Sequence, residues 1–222
     1  MKCVYKKGNT MSYKVLIFDL DGTLLDTTPD ILNAVNTTFD KYKEKQVTIK
    51  DIKRCLGNGA KNLISCLLER KDVDTIVSDY VQYYDLHAQI ETKPYPSILE
   101  LLNNLKDYSK VLYSNKDQST VETLADYHFK DTFKYIAGTL KDYPIKPDPK
   151  RMNELINKHN LNKDEILFIG DSEVDYLTSQ NIGVDCCLVT WGFRDKDVLM
   201  RNHAKYMIDH PMELLHILNN HR

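Results

Sequence analysis

The alternation of short apolar runs with amphipathic segments predicts most of the fold. Residues 15–18 form an apolar run without polar alternation, which is typical of a strand buried on both faces of a parallel sheet. Further strands are predicted at 111–113, 135–138, 166–169, 186–190 and 206–208. Amphipathic helices are predicted at 98–106, 119–127, 149–160, 172–181 and 212–219. This alternation indicates an α/β fold, a doubly wound parallel sheet with right-handed crossovers.

Residues 27–93 depart from this alternation, because they show helical spacing and no convincing strand. The first helix is predicted to begin with Thr28 as its cap and Pro29 at its first position, and to end near Tyr42. Two more helices are predicted at 60–70 and 73–90, after a turn at 56–59. We therefore expect an α-helical domain inserted directly after the first strand.

The predicted domain organisation follows from this insert. An α/β core domain is expected from residues 13–26 and 94–222, with an inserted helical cap domain at 27–93. Residues 1–12 are expected to be a disordered leader or the product of an upstream start.

Composition and charge exclude several classes of partner. With 42% hydrophobic and 28% charged residues, the 222-residue chain resembles an ordinary globular protein. Its net charge of −2 gives no reason to expect nucleic acid or a membrane surface as a partner. No apolar run reaches the roughly 20 residues that a membrane-spanning helix requires. The first residues are positively charged but lack the apolar stretch of a signal peptide.

The cysteines favour a reducing compartment. There are five, an odd number, and no two form a Cys-x-x-Cys pair. This pattern fits reduced thiols better than a disulfide framework, so a cytoplasmic protein is expected. The sequence predicts no particular oligomeric state.

Polar side chains follow the predicted strands where each strand ends. Asp19 and Asp21 follow the first strand, and residues i and i+2 of an extended segment point the same way. Two adjacent carboxylates repel unless a cation or a proton lies between them. The other strand ends supply Ser114, Asn115 and Asp171, and Lys146 lies in a proline-rich loop. Because parallel strands end at one sheet edge, these groups should converge on a site for Mg²⁺ and a phosphoryl group.

Four ordered motifs carry a family resemblance. They are Asp19-Leu20-Asp21-Gly22-Thr23-Leu24, Ser114-Asn115, Lys146-Pro147 and Gly170-Asp171-Ser172-Glu173-Val174-Asp175. In this order they resemble the motifs of the haloacid dehalogenase superfamily, over the chain from about residue 13 to its end. The length of the insert, with 57–59, 94–96 and 191–193, resembles the phosphoglycolate phosphatase branch of that superfamily.

The resemblance implies a phosphatase mechanism. Asp19 would attack phosphorus and form an aspartyl-phosphate. Asp21 would protonate the leaving alkoxide and then activate the water that cleaves the intermediate. Mg²⁺ would be bound by Asp19, the backbone carbonyl of Asp21 and Asp171. A dehalogenase has no alkoxide to protonate, so the presence of Asp21 disfavours that activity.

The resemblance also assigns the surrounding residues. Phosphate-binding groups would be Ser114, Asn115, Lys146 and the backbone N–H groups after Asp19, including Gly22 and Thr23. Asp175 would orient Lys146 or a metal-bound water. The loop Gly57, Asn58 and Gly59 of the cap would face the substrate. Arg54 or Lys61 could bind a substrate carboxylate, although we favour their being exposed helix charges.

Each residue also has a simpler interpretation. Asp171 could cap a helix, Lys146 could be a solvated loop lysine, and Ser114 and Asn115 are ordinary turn residues. Their joint occurrence at strand ends in motif order favours the site. The predicted function is a Mg²⁺-dependent phosphatase acting on a small, phosphoglycolate-like phosphomonoester.

Several alternative functions remain open. Relatives with the same motifs act on pyrophosphate, nucleoside monophosphates or sugar phosphates, and a related branch contains the phosphotransferase β-phosphoglucomutase. A non-catalytic binding protein is a further alternative. Retention of Asp19, Asp21, Lys146 and Asp171 counts against it, because such a protein could lose these residues without penalty.

Overall fold

The computed structural model describes residues 12–220, so the predicted leader lies almost entirely outside the described residues. The strands are β1 Val15–Phe18, β2 Leu25–Asp26, β3 Lys93–Pro94, β4 Ser109–Asp117, β5 Tyr135–Thr139, β6 Ile166–Gly170, β7 Asp185–Val189 and β8 Tyr206–Ile208. The α-helices are α1 Thr28–Tyr42, α2 Ile49–Cys55, α3 Gly59–Leu68, α4 Asp74–His87, α5 Ile98–Asn104, α6 Gln118–Phe129, α7 Lys150–Lys158, α8 Glu173–Ile182, α9 Lys196–Leu199 and α10 Glu213–Asn219. Two 3₁₀ turns lie at Lys163–Glu165 and Met200–Asn202.

The main sheet confirms the doubly wound α/β prediction. Its six strands are parallel and lie in the order β5-β4-β1-β6-β7-β8. Strands β4 and β5 therefore lie on one side of β1, and the later strands β6, β7 and β8 lie on the other side. Ligands bind at such a reversal, beyond the carboxyl ends of the central strands.

Strand β1 is central because its side chains can be buried on both faces. Leu16 and Phe18 pack into one apolar cluster, and Val15 and Ile17 pack into a second. Because both faces of β1 are covered by apolar clusters, its sequence is a continuous apolar run rather than an alternation of apolar and polar residues. The end of β1 is thereby fixed between β4 and β6, where Phe18 pairs with Leu112 and Ile169.

The helical insert lies between two short strands that the sequence analysis missed. Strands β2 and β3 pair antiparallel, Leu25 with Pro94 and Asp26 with Lys93. Two residues are too few for an apolar period to be visible in sequence. Helices α1 to α4 lie between these strands.

Within the insert, two helix starts differ from the predictions. Helix α2 was missed; its start is fixed by a capping box between Thr48 and Asp51. Helix α1 begins at Thr28 rather than being capped by it, and Asp26 Oδ1 accepts a hydrogen bond from the Thr28 N–H, 3.1 Å.

The expectation of reduced cysteines is wrong for one pair. Cys55 and Cys66 form a disulfide with Cα atoms 5.7 Å apart, which joins the end of α2 to α3. The pair is 11 residues apart and meets only because the chain reverses between these helices, so no short-range motif marks it. Cys186 and Cys187 are buried free thiols. Within residues 12–220, no helix has the length and apolar character needed to cross a membrane.

Candidate active site

The first strand ends in a tight turn that separates its two aspartates. The carbonyl of Leu20 accepts hydrogen bonds from the N–H groups of Leu24 and Leu25, both 3.0 Å. Gly22 adopts a φ of 85°, which glycine reaches without the strain of a side chain. Asp19 is thereby held in the interior, with 7% of its surface exposed, whereas Asp21 faces the cavity above the sheet edge.

Lys146 is buried between two carboxylates. Its Nζ lies 2.7 Å from Asp19 Oδ1 and 2.7 Å from Asp175 Oδ1, and donates to the carbonyl of Tyr113 at 3.2 Å. Burial disfavours the charged ammonium, but the charges of Asp175 and Asp19 raise the pKa of Lys146 above its ordinary value. Lys146 is therefore a fixed cation beside Asp19, which excludes the solvated loop lysine.

Asp175 lies where the resemblance predicted a residue that orients Lys146. Its Oδ2 accepts hydrogen bonds from the Ser172 hydroxyl, 2.6 Å, and the Ser172 N–H, 3.2 Å, so it closes the capping box of α8. Its Oδ1 contacts Lys146. Both oxygens are thus already bound to protein groups, and the helix cap that could have been Asp171 is Ser172.

Asp171 is enclosed by two glycines. A Cβ added to Gly22 or Gly192 would lie 2.2 or 2.3 Å from Asp171 Oδ2, so a side chain at either position would displace this carboxylate. The same oxygen accepts a hydrogen bond from the Phe193 N–H, 2.7 Å. Burial, followed by the charges of Asp175 and Asp19, raises the pKa of Asp171 well above its ordinary value.

The donor set fits a divalent cation. Oxygen atoms of Asp19, Asp171 and Asp175 lie within 4.8 Å of one another, and Lys146 supplies the compensating charge inside this buried group. Three carboxylates and one ammonium leave an excess of negative charge. In this setting burial raises the pKa of Asp19 to about 7, the charge of Asp175 adds to the rise, and Lys146 opposes it. Carboxylate oxygens in such a cluster suit Mg²⁺.

The predicted phosphate-binding residues divide into two groups. Ser114 is buried at the cavity, and its Oγ accepts from the Lys116 N–H at 3.2 Å, which leaves its hydroxyl hydrogen to donate to a ligand. Gly22 and Thr23 do not supply free donors, because their N–H groups bond to Leu25 O at 2.9 Å and Leu20 O at 3.3 Å. Their role is to build the turn. None of these turn bonds uses the N–H of Leu20 or Asp21.

Asn115 is committed to protein contacts rather than to phosphate. Its Oδ1 accepts from the Lys146 N–H at 2.7 Å, and its Nδ2 donates to the Lys146 carbonyl at 3.1 Å. Nδ2 also donates to the carbonyl of Gly57 in the insert, 2.9 Å. Asn115 therefore fixes the backbone that carries Lys146 and joins it to the insert.

The insert covers the sheet edge and encloses a cavity of about 760 Å³. The loop Gly57, Asn58 and Gly59 lines this cavity together with Asp19 and Asp21, as the sequence analysis expected. A contact that it missed is Arg194, whose guanidinium donates to the carbonyls of Lys53, 2.9 Å, and Leu56, 2.7 Å. Arg194 follows the Trp191-Gly192-Phe193 motif directly, which is the only signal in the sequence.

A second missed residue is Lys116, whose ammonium lies 3.2 Å from Asp21 Oδ1. The same oxygen accepts from the Thr27 hydroxyl at 2.6 Å. The only signal for Lys116 in the sequence is that it follows the Ser114-Asn115 motif directly. The pairing of β4 with β5 is irregular between Tyr113 and Asp117, so strand alternation does not fix the direction of the Lys116 side chain.

Comparisons with known proteins point to one family. The profile of the haloacid dehalogenase-like hydrolases matches residues 16–189, from β1 to the end of β7. A phosphoglycolate phosphatase of Aliivibrio fischeri is 28% identical over 220 residues, 93% of this chain and 96% of that protein. Pyrophosphatase PpaX of Bacillus cereus is 26% identical over 213 residues, 95% and 98% of the two chains.

Solved structures show the same fold. A haloacid dehalogenase-like hydrolase from Streptococcus pneumoniae superposes with a TM-score of 0.85 at 26% identity, over 94% of this chain and 98% of that one. The profile match spans the strands that carry all four motifs, and the structure brings those motifs to one sheet edge. The chain therefore belongs to the haloacid dehalogenase-like hydrolase family.

Proposed function

We propose that this protein is a Mg²⁺-dependent phosphatase that hydrolyses a small, phosphoglycolate-like phosphomonoester through an aspartyl-phosphate on Asp19. The observation that carries the proposal is the buried contact of Asp19 with Lys146, beside a cluster of carboxylates that could hold a metal ion. Asp19 and Asp171, with the backbone carbonyl of Asp21, would hold that cation. When bound, it supplies positive charge that lets an anionic nucleophile approach a phosphate dianion.

The residues around Asp19 have separate tasks. Lys146 and the Ser114 hydroxyl hold phosphoryl oxygens, because both are buried donors at the cavity wall. The N–H groups of Leu20 and Asp21 are the backbone donors that follow Asp19. Donors fixed before the reaction need no reorganisation as charge shifts onto the phosphoryl oxygens.

Asp21 is the proton donor and acceptor. Its side chain is held by Thr27 and Lys116 through Oδ1 and is not part of the cluster of Asp19, Asp171 and Asp175. It can therefore protonate the leaving oxygen and later take a proton from the attacking water. Asp19 and Asp21 take different roles because Asp19 is buried against Lys146, whereas Asp21 is held by Thr27 and Lys116.

Residues 27–93 would act as a cap over this site. Support comes from the cavity under the insert and from the contacts of Arg194 and Asn115 with it. The paired strands β2 and β3 are the two connections about which the cap would move. The phosphatase and pyrophosphatase relatives make both phosphoglycolate and pyrophosphate candidate substrates.

Replacement of Asp19 tests the proposed function. Purified protein is assayed for release of inorganic phosphate from 2-phosphoglycolate, other small phosphate esters and pyrophosphate, with Mg²⁺ or with chelator. We expect Mg²⁺-dependent turnover that Asp19→Asn lowers by about 10³-fold or more, because the amide cannot attack phosphorus. The matched control Asp164→Asn alters an exposed aspartate before β6 and should leave turnover unchanged.

Two outcomes would count against the proposal. Turnover that survives in Asp19→Asn would exclude Asp19 as the nucleophile. Transfer of the phosphoryl group to a sugar without steady release of inorganic phosphate would favour the mutase alternative.

A further inference from the structure

The surroundings of Asp21 contain a cation that the proposed mechanism does not use. The Lys116 side chain is only 11% exposed, and its ammonium lies 3.2 Å from Asp21 Oδ1. It also donates to the hydroxyl of Tyr84 at 3.1 Å and lies 4.4 Å from the centre of that ring. Because Tyr84 belongs to α4, this ammonium is enclosed between the core and the insert.

The position of Lys116 relative to the reacting atoms follows from Asp21. A general acid must be within hydrogen-bond distance of the oxygen it protonates, so the leaving group lies beside Asp21. Lys146 contacts Asp19, to which the phosphoryl group would be transferred. The Lys116 ammonium contacts Asp21 instead, so it lies next to the leaving group.

The surroundings of the Lys116 ammonium favour binding of a substrate anion. A buried ammonium loses its hydration, and here its partners are one carboxylate, one hydroxyl and one aromatic ring. A lysine is a compact charge on a flexible stem, so it can move from Asp21 to a substrate anion without rearrangement of the backbone. In 2-phosphoglycolate the carboxyl carbon is two bonds from the ester oxygen, and in pyrophosphate the second phosphorus is bonded directly to it.

The two cations of the insert that were considered from sequence are less suitable. Lys61 lines the cavity, but its side chain is 62% exposed and its Nζ lies 2.6 Å from Asp74. Arg54 lies on a neighbouring cavity and does not line this one. The carboxylate-binding role considered for these two residues from sequence is thus better filled by Lys116.

We propose that Lys116 determines specificity by binding a negatively charged group of the leaving group, a carboxylate or a second phosphate next to the scissile oxygen. The proposal rests on the proposed phosphatase function and narrows its substrates to esters or anhydrides with an anionic leaving group. Tyr84 contacts the Lys116 ammonium from the side of the insert.

A matched pair of substrates tests the proposal. Ethyl phosphate differs from 2-phosphoglycolate only in having a methyl group in place of the carboxylate. Pyrophosphate is the second substrate with an anionic leaving group. We expect the wild-type kcat/KM to be higher for 2-phosphoglycolate, for pyrophosphate or for both than for ethyl phosphate. Lys116→Met should lower that preference roughly 10- to 100-fold, the worth of one charge-assisted hydrogen bond. Lys116→Arg, which keeps the charge, should retain most of the preference.

Lys61→Met is the control, because it removes an exposed cation of the same cavity. It should change the preference by less than about threefold. A wild-type enzyme without the preference would overturn the role of Lys116. So would an equal loss on charged and neutral substrates in Lys116→Met, which would show that Lys116 only orients Asp21, or a loss in Lys116→Arg as large as in Lys116→Met. A wild-type protein inactive on every substrate would instead overturn the proposed function itself.

Discussion

At the scale of single residues, burial distinguishes two aspartates that lie one residue apart. Asp19 is enclosed with Lys146, Asp171 and Asp175, and burial raises its pKa to about 7. Asp21 contacts Thr27 and Lys116 at the cavity. In the proposed mechanism, the same local sequence would supply one carboxylate that binds the cation and one that exchanges a proton with the substrate.

The raised pKa of Asp19 predicts how Mg²⁺ stabilises the protein at different pH. Because the folded pKa, about 7, exceeds the ordinary value of 3.8, protonated Asp19 favours the metal-free fold at low pH. This contribution is lost as the pH rises through about 7. Mg²⁺ binds the ionised carboxylate, so the rise in Tm on adding Mg²⁺ should be larger at about pH 8 than at about pH 5.5.

Thermal unfolding with Mg²⁺ or chelator at both pH values measures this effect. Asp19→Asn, which does not ionise, should show a smaller rise in Tm with a weaker dependence on pH. An equal rise at both pH values in the wild type would contradict the assignment of Asp19 as a ligand.

At the scale of secondary-structure elements, predictability follows length and periodicity. The strand at 15–18 and the helix predicted from Thr28 to Tyr42 match β1 and α1, because their apolar pattern extends over enough residues. The strand pair β2 and β3 and the helix α9 are two to four residues long, too short to show a period. Their existence depends on tertiary pairing.

The candidate site could also be predicted from sequence only in part. The motifs predicted that Asp19, Asp171 and Lys146 lie together, but the sequence does not reveal which hydrogen-bond donors already have partners within the protein. The N–H groups of Gly22 and Thr23 donate to carbonyls of the turn, and the side-chain amide of Asn115 bonds to the backbones of Lys146 and Gly57. Such assignments require the hydrogen-bond partners themselves.

Arg194 makes a prediction about the closure of the insert. Its guanidinium connects Glu173 in the core with two carbonyls at the end of α2. Arg194→Met removes these charge-assisted bonds, so the closed arrangement should become less populated and kcat/KM should fall by roughly tenfold, mainly through KM. Steady-state kinetics and limited proteolysis of the insert measure the two effects.

The control for Arg194→Met is Arg201→Met, which alters an exposed arginine in the turn Met200–Asn202. It should leave both readouts unchanged. If KM and protease sensitivity in Arg194→Met match the wild type, Arg194 does not hold the insert closed.

At the scale of the whole molecule, topology brings distant residues together. Asp19 and Asp171 directly follow β1 and β6, and Ser114 lies within the adjacent strand β4, where the order of the sheet reverses. Lys146 comes from the loop after β5 and reaches the same point. The parallel sheet made this convergence predictable from sequence, whereas the closing contacts of the insert were not.

Phosphorylation of Asp19 is the central step of the proposed mechanism, and the Asp21→Asn variant makes this step observable. The leaving phenolate of 4-nitrophenyl phosphate needs no proton, so this variant should still form the aspartyl-phosphate but hydrolyse it slowly. Rapid mixing should give a burst of about one nitrophenolate per active site, with the phosphoryl group recovered on the peptide that contains Asp19. The Asp19→Asn, Asp21→Asn double variant should give neither. A linear release without a burst, or a phosphoryl group on another residue, would contradict the mechanism.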